Sequence, residues 1–143
     1  MNIAIILSGG VGTRMGEACP KQYIKVADKP IIKYCVKTFC NNPRIDKIVI
    51  CLADEWRAFV EESLKDIVTT QSIIYSKPGR TRQFTIYNAL EKLESVGIAS
   101  DDVVIIHDAA RPLVSQQLID ACLDENRICD GVLPVIPMKD TIY

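Results

Sequence analysis

The sequence lacks an excess of either charge. Seventeen Lys and Arg stand against eighteen Asp and Glu, a net charge of -1. That balance argues against wrapping nucleic acid or lying on an anionic membrane, both of which call for surplus positive charge. No apolar run approaches the ~20 residues needed to span a bilayer. The N-terminus has neither a basic leader region nor a small-residue cleavage site, since Asn2 and Ile3 lead straight into an apolar run, so no secretory leader is expected. There is no CxxC pair and one histidine, His107, which leaves a structural zinc site without ligands. Internal repeats, low-complexity tracts and an interdomain linker are missing as well. The six cysteines (Cys19, Cys35, Cys40, Cys51, Cys122, Cys129) are scattered, four of them at apolar-face or strand positions. They read as free thiols in a reducing compartment.

What is present fits one globular α/β domain over residues 1–143, with 48% hydrophobic and 24% charged residues. Short apolar runs at 3–7, 46–52, 72–75, 103–106 and 132–136 read as strands. The first is apolar throughout, as a strand buried on both faces should be. Between them lie amphipathic stripes. Ile31, Cys35 and Phe39 mark a first helix, with Pro30 in its first turn. A second runs from Trp56 to Ile67, and a third from Ile86 to Leu93, closed by Gly97. A fourth covers Leu118 to Leu123, with Ser115 as its N-cap. Strand alternating with helix predicts a mostly parallel sheet with helices on both faces.

In such sheets ligands bind beyond the carboxyl ends of the strands, so the loops there carry the functional reading. The first, Ser8 to Lys21, holds Gly9, Gly10, Gly12 and Gly16 with Arg14 and Lys21. Glycines bring main-chain amides close to a ligand, and successive free amides suit phosphate. It is not a Walker A loop, because no Gly precedes Lys, and it misses the dinucleotide fingerprint GxGxxG, because three residues separate Gly12 from Gly16. The second is 76–82, where Gly79 permits close approach and Thr81 or Thr85 can place a hydroxyl near a helix start. The third is His107-Asp108-Ala109-Ala110-Arg111-Pro112. Asp108 is the first carboxylate beyond its strand, Asp108 and Arg111 are spaced to pair with each other, and His107 reads as structural. The fourth, 134–141, brings Lys139, Asp140 and Thr141 to the same edge.

The segments 8–24 (SGGVGTRMGEACPKQYI), 79–90 (GRTRQFTIYNAL), 103–114 (VVIIHDAARPLV) and 133–142 (LPVIPMKDTI) together resemble the 2-C-methyl-D-erythritol 4-phosphate cytidylyltransferase family, which includes the ribitol-5-phosphate cytidylyltransferases. The resemblance covers essentially the whole chain. It implies a three-layer, Rossmann-like nucleotidyltransferase fold. Ser8, Gly9, Gly10 and Gly12 would cradle the CTP triphosphate, and Arg14 and Lys21 would be the catalytic cations at the α-phosphate. Gly79, Arg80 and Thr85 match positions around cytosine and ribose, and Ala109 a further nucleotide contact. Asp108, Arg111 and Thr141 match positions that serve the acceptor, Asp108 and Arg111 also the ribose end. The family usually begins its loop Ala-Ala-Gly or Ala-Gly-Gly, where this chain has Ser8-Gly9-Gly10.

The resemblance further implies transfer of CMP from CTP to a polyol phosphate, with release of pyrophosphate, in a cytoplasmic homodimer. Mg²⁺ would be held mainly by the CTP phosphates, with no metal ligand assigned to the protein. Methylerythritol phosphate, an isoprenoid precursor, is the first acceptor, favoured by the AARP and DTI segments. Ribitol 5-phosphate is the second, favoured by Gly-Gly-x-Gly-Thr-Arg and the region of Asp54, Glu55 and Trp56. Two further alternatives are a hexose-phosphate nucleotidyltransferase and a non-catalytic nucleotide-binding module. Family chains continue past the DTI motif into a dimerisation arm and a late lysine. The expectation is therefore a fold whose C-terminal part is missing from these 143 residues, with transfer by them alone at background.

Overall fold

The computed structural model describes residues 1–10 and 19–137. Four parallel strands form the central sheet: β1 (Asn2–Leu7), β4 (Lys47–Cys51), β5 (Ser72–Ser76) and β6 (Val103–Asp108), in the order β5-β4-β1-β6. β1 is central, with Ile5 opposite Val49 on one side and Ile106 on the other. Its unbroken apolar run follows from that place, for Ile3, Ala4, Ile5 and Ile6 are all fully buried.

The side chains of β1 alternate between two cores. Ala4 and Ile6 pack with residues of α1 (Ile31–Cys40), α2 (Arg57–Leu64) and α4 (Gln116–Glu125), among them Ile32, Phe39, Val60 and Ile119. Ile3 and Ile5 pack on the other face with Ala89 and Leu93 of α3 (Arg82–Ser95). The layering follows from connection geometry. The crossovers through α1 and α2 step from β1 to β4 to β5. The one through α3 steps back across the sheet to β6, and a right-handed crossover in the reverse direction lies on the opposite face.

Local chemistry fixes the helix ends. The Thr81 hydroxyl accepts from the Phe84 amide at 3.2 Å and caps α3, and the Ser115 hydroxyl does the same for α4 from Leu118 at 3.2 Å. Gly97, at φ 85°, ends α3 in the left-handed region. Pro30 stands one position before α1, as its N-cap, with its ring fixing φ at −63°. The stripe from Trp56 to Ile67 divides into a 3-10 turn (Asp54–Trp56) and the eight-residue α2.

Two elements depart from the sequence reading. Residues 25–30 form a small antiparallel hairpin, β2 (Lys25–Val26) and β3 (Lys29–Pro30), turned by Ala27 and Asp28 at φ 48° and 62°. Residues 132–136 are not a strand. They carry no regular structure, and Leu133, Val135 and Ile136 are 80% or more exposed. Pro134 denies this stretch one ladder donor, and Pro137 directly follows it.

All six cysteines are free thiols. Burial pushes those of Cys35 and Cys51 up to about 12, far above the range in which a thiol reacts. Among the described residues, no helix is long and apolar enough to cross a membrane.

Candidate functional site

The chain leaves β1 toward β4 and β5 on one side and returns to β6 on the other, so the loops after β1 and β6 diverge at a topological switch point. A cleft of about 490 Å³ opens there, lined by Leu7, Gly9, Gly10, Gly79, Arg80, Thr81, Arg82, Thr85 and Asp108. Three loops, each at the carboxyl end of a different strand, thus meet in one place. Seven of the residues singled out by sequence lie in this lining: Gly9, Gly10, Gly79, Arg80, Thr81, Thr85 and Asp108.

The walls need glycine for different reasons. A Cβ on Gly79 would stand 2.4 Å from the Phe84 Cβ, 2.5 Å from the Phe84 carbonyl carbon and 2.8 Å from the Thr85 nitrogen. The Gly79 amide instead donates to the Thr85 hydroxyl at 2.9 Å, and that hydroxyl donates to the Thr81 carbonyl at 3.0 Å. The hydroxyls of Thr81 and Thr85 therefore both build the amino end of α3, where helix amides favour an anion. A Cβ on Gly9 would fall 2.2 Å from the Pro78 Cβ, so the first and second loops touch. A Cβ on Gly10 would meet nothing within 4 Å among the described residues.

Asp108 sits between two guanidiniums. Its Oδ2 accepts from Arg111 Nε at 3.1 Å, the pairing that the sequence spacing allows, and its Oδ1 faces Arg82 Nε at 3.4 Å. Arg82 was not singled out in the sequence because its partner lies 26 residues away, and only the fold joins them. Arg111 is exposed, and its carbonyl accepts from His107 Nε2 at 2.9 Å. His107 also packs against the Phe39 ring, and burial lowers its pKa from 6.5. It serves as a structural residue at the end of β6. Ala109 is fully buried in the core with Cys35 rather than in the cleft lining, its amide donating to the Leu7 carbonyl at 3.0 Å.

Ser8 is 2% exposed and turned inward rather than into the cleft. Its amide donates to the Cys51 carbonyl at 2.8 Å and its hydroxyl to Tyr23 Oη at 2.9 Å. Lys21 is exposed and opens the 3-10 turn Lys21–Tyr23 beside the first loop. Gly12 and Arg14 lie outside the described residues, as does Thr141. The sequence motif contained Gln22 and Tyr23 without marking them. Both are buried against the first loop, and their polar atoms give the only signal that they are more than packing.

Residues 2–143 match the family described as "IspD: 2-C-methyl-D-erythritol 4-phosphate cytidylyltransferase". The chain is 37% identical over 139 residues to 2-C-methyl-D-erythritol 4-phosphate cytidylyltransferase of Clostridium beijerinckii, covering 97% of this chain and 59% of that protein. It is 35% identical to ribitol-5-phosphate cytidylyltransferase of Lactiplantibacillus plantarum, covering 99% of this chain and 62% of that one. This chain therefore spans roughly three-fifths of the length of these relatives. A crystal structure of 4-diphosphocytidyl-2C-methyl-D-erythritol synthase superposes with a TM-score of 0.80 at 23% identity, covering 99% of this chain and 62% of that one, which shows the shared nucleotidyltransferase fold. With a match running from the first strand to the last residue, the chain belongs to the 2-C-methyl-D-erythritol 4-phosphate cytidylyltransferase family.

Proposed function

We propose that this protein transfers CMP from CTP to 2-C-methyl-D-erythritol 4-phosphate and releases pyrophosphate, a step in making isoprenoid precursors. The observation that carries the reading is the meeting of Gly9 and Gly10, Gly79 to Thr85, and Asp108 in one cleft at the switch point. A phosphate oxygen of the acceptor attacks the α-phosphorus of CTP in line. The new bond is acceptor oxygen to phosphorus, the broken bond is phosphorus to the pyrophosphate oxygen, and pyrophosphate leaves. A phosphate monoester is already an anion at neutral pH, so no strong general base is required. The difficulty is crowding negative charge, which cations and main-chain amides relieve.

In this reading Gly9, Gly10 and Gly12 receive the triphosphate, with Ser8 buried behind them as their support, and Arg14 and Lys21 steady charge at the α-phosphate. Gly79, Arg80 and Thr85 receive the nucleoside, and the fully buried Ala109 supports the end of β6 beside them. Asp108, Arg111 and Thr141 receive the acceptor and ribose end. The donor set suits Mg²⁺ arriving with its substrate: Asp108 is the one carboxylate among the described lining residues, and Mg²⁺ commonly takes few protein oxygens beside substrate phosphates. When bound, it neutralises charge on the departing pyrophosphate. The reading includes a cytoplasmic, homodimeric protein.

A second acceptor, D-ribitol 5-phosphate, is favoured by one observation. Relatives named for it match almost as well, at 35% and 33% identity. Nucleotide titration and pyrophosphate release by a protein of the relatives' full length test both readings. A pyrimidine-sized pocket rejects purines on shape, whereas UTP differs from CTP only in hydrogen bonding at the 4-position. CTP is expected first, UTP a distant second, and ATP not at all. Release with methylerythritol phosphate but not with ribitol 5-phosphate selects the first acceptor. Equal use of ATP and CTP overturns the assignment.

A further inference from the structure

The opening of the glycine segment is held by a side chain to which the proposed chemistry gives no part. Gln22 is 5% exposed, and its amide nitrogen donates to two main-chain carbonyls, Ser8 O at 2.7 Å and Gly10 O at 2.9 Å. Both amide protons are thereby used. The neighbouring Tyr23, 2% exposed, donates from its hydroxyl to the same Ser8 carbonyl at 3.1 Å. These bonds reach across 12 to 15 residues of sequence, from the Lys21–Tyr23 turn back to the end of β1. One turn thus points Gln22 and Tyr23 inward and carries Lys21 outward.

The orientation of the carbonyls matters because a trans peptide puts its N–H opposite its C=O. With the Ser8 carbonyl bound to Gln22 and Tyr23, the Gly9 amide is turned to the other side, and Gly9 lines the cleft. A flipped peptide would offer an anion the negative end of the dipole instead. An apolar side chain of equal length could fill the space of Gln22 but could not hold either carbonyl.

We propose that Gln22 is the positioning residue of this site. It fixes the peptide orientation at Ser8 and Gly10 and, through the shared turn, the place of Lys21, so that the segment presents amides to a nucleoside triphosphate. The identity of that ligand rests on the function proposed above, whereas the peptide positioning does not. Gln22→Met keeps the length and removes both donors. Gln22→Glu keeps the shape and sets a carboxylate against two carbonyls, and it is read in place of Gln22→Met where the latter does not fold.

Two readouts need no nucleotide. The Ser8 amide, bonded to Cys51, should exchange its hydrogen about tenfold faster in Gln22→Met, while that of Ile5 is unchanged. Emission of Trp56, the one tryptophan, should shift as its stacking on Tyr23 at 4.6 Å loosens. Titration with CTP and Mg²⁺ should then show about tenfold weaker binding for either variant. A space-filling role predicts wild-type behaviour for Gln22→Met in all three measurements, and that result overturns the proposal. Faster exchange with unaltered CTP affinity overturns it too. If the wild-type protein binds no CTP, the proposed function falls, and the two nucleotide-free readouts still decide whether Gln22 positions the segment.

Discussion

At the amino ends of the strands, polar groups are spent on one another. Asn42, 1% exposed, donates to Gln116 at 2.8 Å and to Asp120 at 3.0 Å, and its side-chain oxygen accepts from the Arg44 amide at 2.8 Å. Arg44 pairs with Asp124, and the Asn2 amide donates to Asp46 at 2.7 Å. At the carboxyl ends, polar groups are fixed but left accessible. Arg80 and Arg82 are exposed, Asp108 is half-buried, and a Cβ on Gly10 would meet none of the described residues within 4 Å. The same four strands thus end in polar groups paired with one another around the buried Asn42 on one side and in a concave cleft on the other. The contrast teaches that density of polar residues does not mark a site. A concavity into which several loops converge does.

The contrast can be broken from either end. The largest effect is expected at Lys21. In a protein of the relatives' full length, Lys21→Ala removes a charge that the proposed reaction uses in its transition state, so turnover should fall about a hundredfold, near 3 kcal/mol, with CTP binding less affected and the melting temperature unmoved. Steady-state kinetics beside a thermal melt check this, and near-normal turnover removes Lys21 from the mechanism. Next comes Gly79→Ala, whose Cβ collides with main-chain atoms at the start of α3. It should lose about 1–3 kcal/mol of stability together with nucleotide binding, whereas Gly10→Ala, whose Cβ meets none of the described residues within 4 Å, should lose binding alone.

At the amino ends the pattern reverses. Asn42→Ala strands the groups it joins and should cost roughly 2 kcal/mol in denaturant unfolding, with CTP affinity unchanged. A fall in affinity there would erase the distinction between the two ends. The smallest effect belongs to His107. Burial holds its folded pKa below 6.5, so the neutral ring stabilises the fold above that value, and its contribution is lost as pH falls through 6.5 toward the folded value. Unfolding titrations between pH 5 and 8 should slope less in His107→Gln than in the wild type.

Much of the fold was legible because local signals agreed with the global arrangement. The continuous run of β1, the caps at Thr81 and Ser115 and the closing Gly97 all announce their roles within a few residues. The hairpin at 25–30 did not, because Ala27 and Asp28 occupy the left-handed region without the glycine or asparagine that usually signals it. The run at 132–136 misled because apolar content alone cannot supply a ladder partner. In the cleft, the glycines and Asp108 were visible as breaks after strands. Arg82 and Gln22 were not, since their roles depend on partners 26 and 12 to 14 residues distant that only the folded chain brings near.

The all-parallel order has a consequence for how the chain is made. β1 is synthesised first, yet its neighbours begin at Lys47 and Val103, and its pairing with β6 spans about a hundred residues. At roughly 5–20 residues per second, the most apolar strand of the protein waits on the order of 5–20 s between leaving the ribosome and acquiring both flanks. Such delayed, non-local closure slows folding. During that interval residues 3–7 form a sticky nascent segment, the natural target for chaperone capture before any cleft exists.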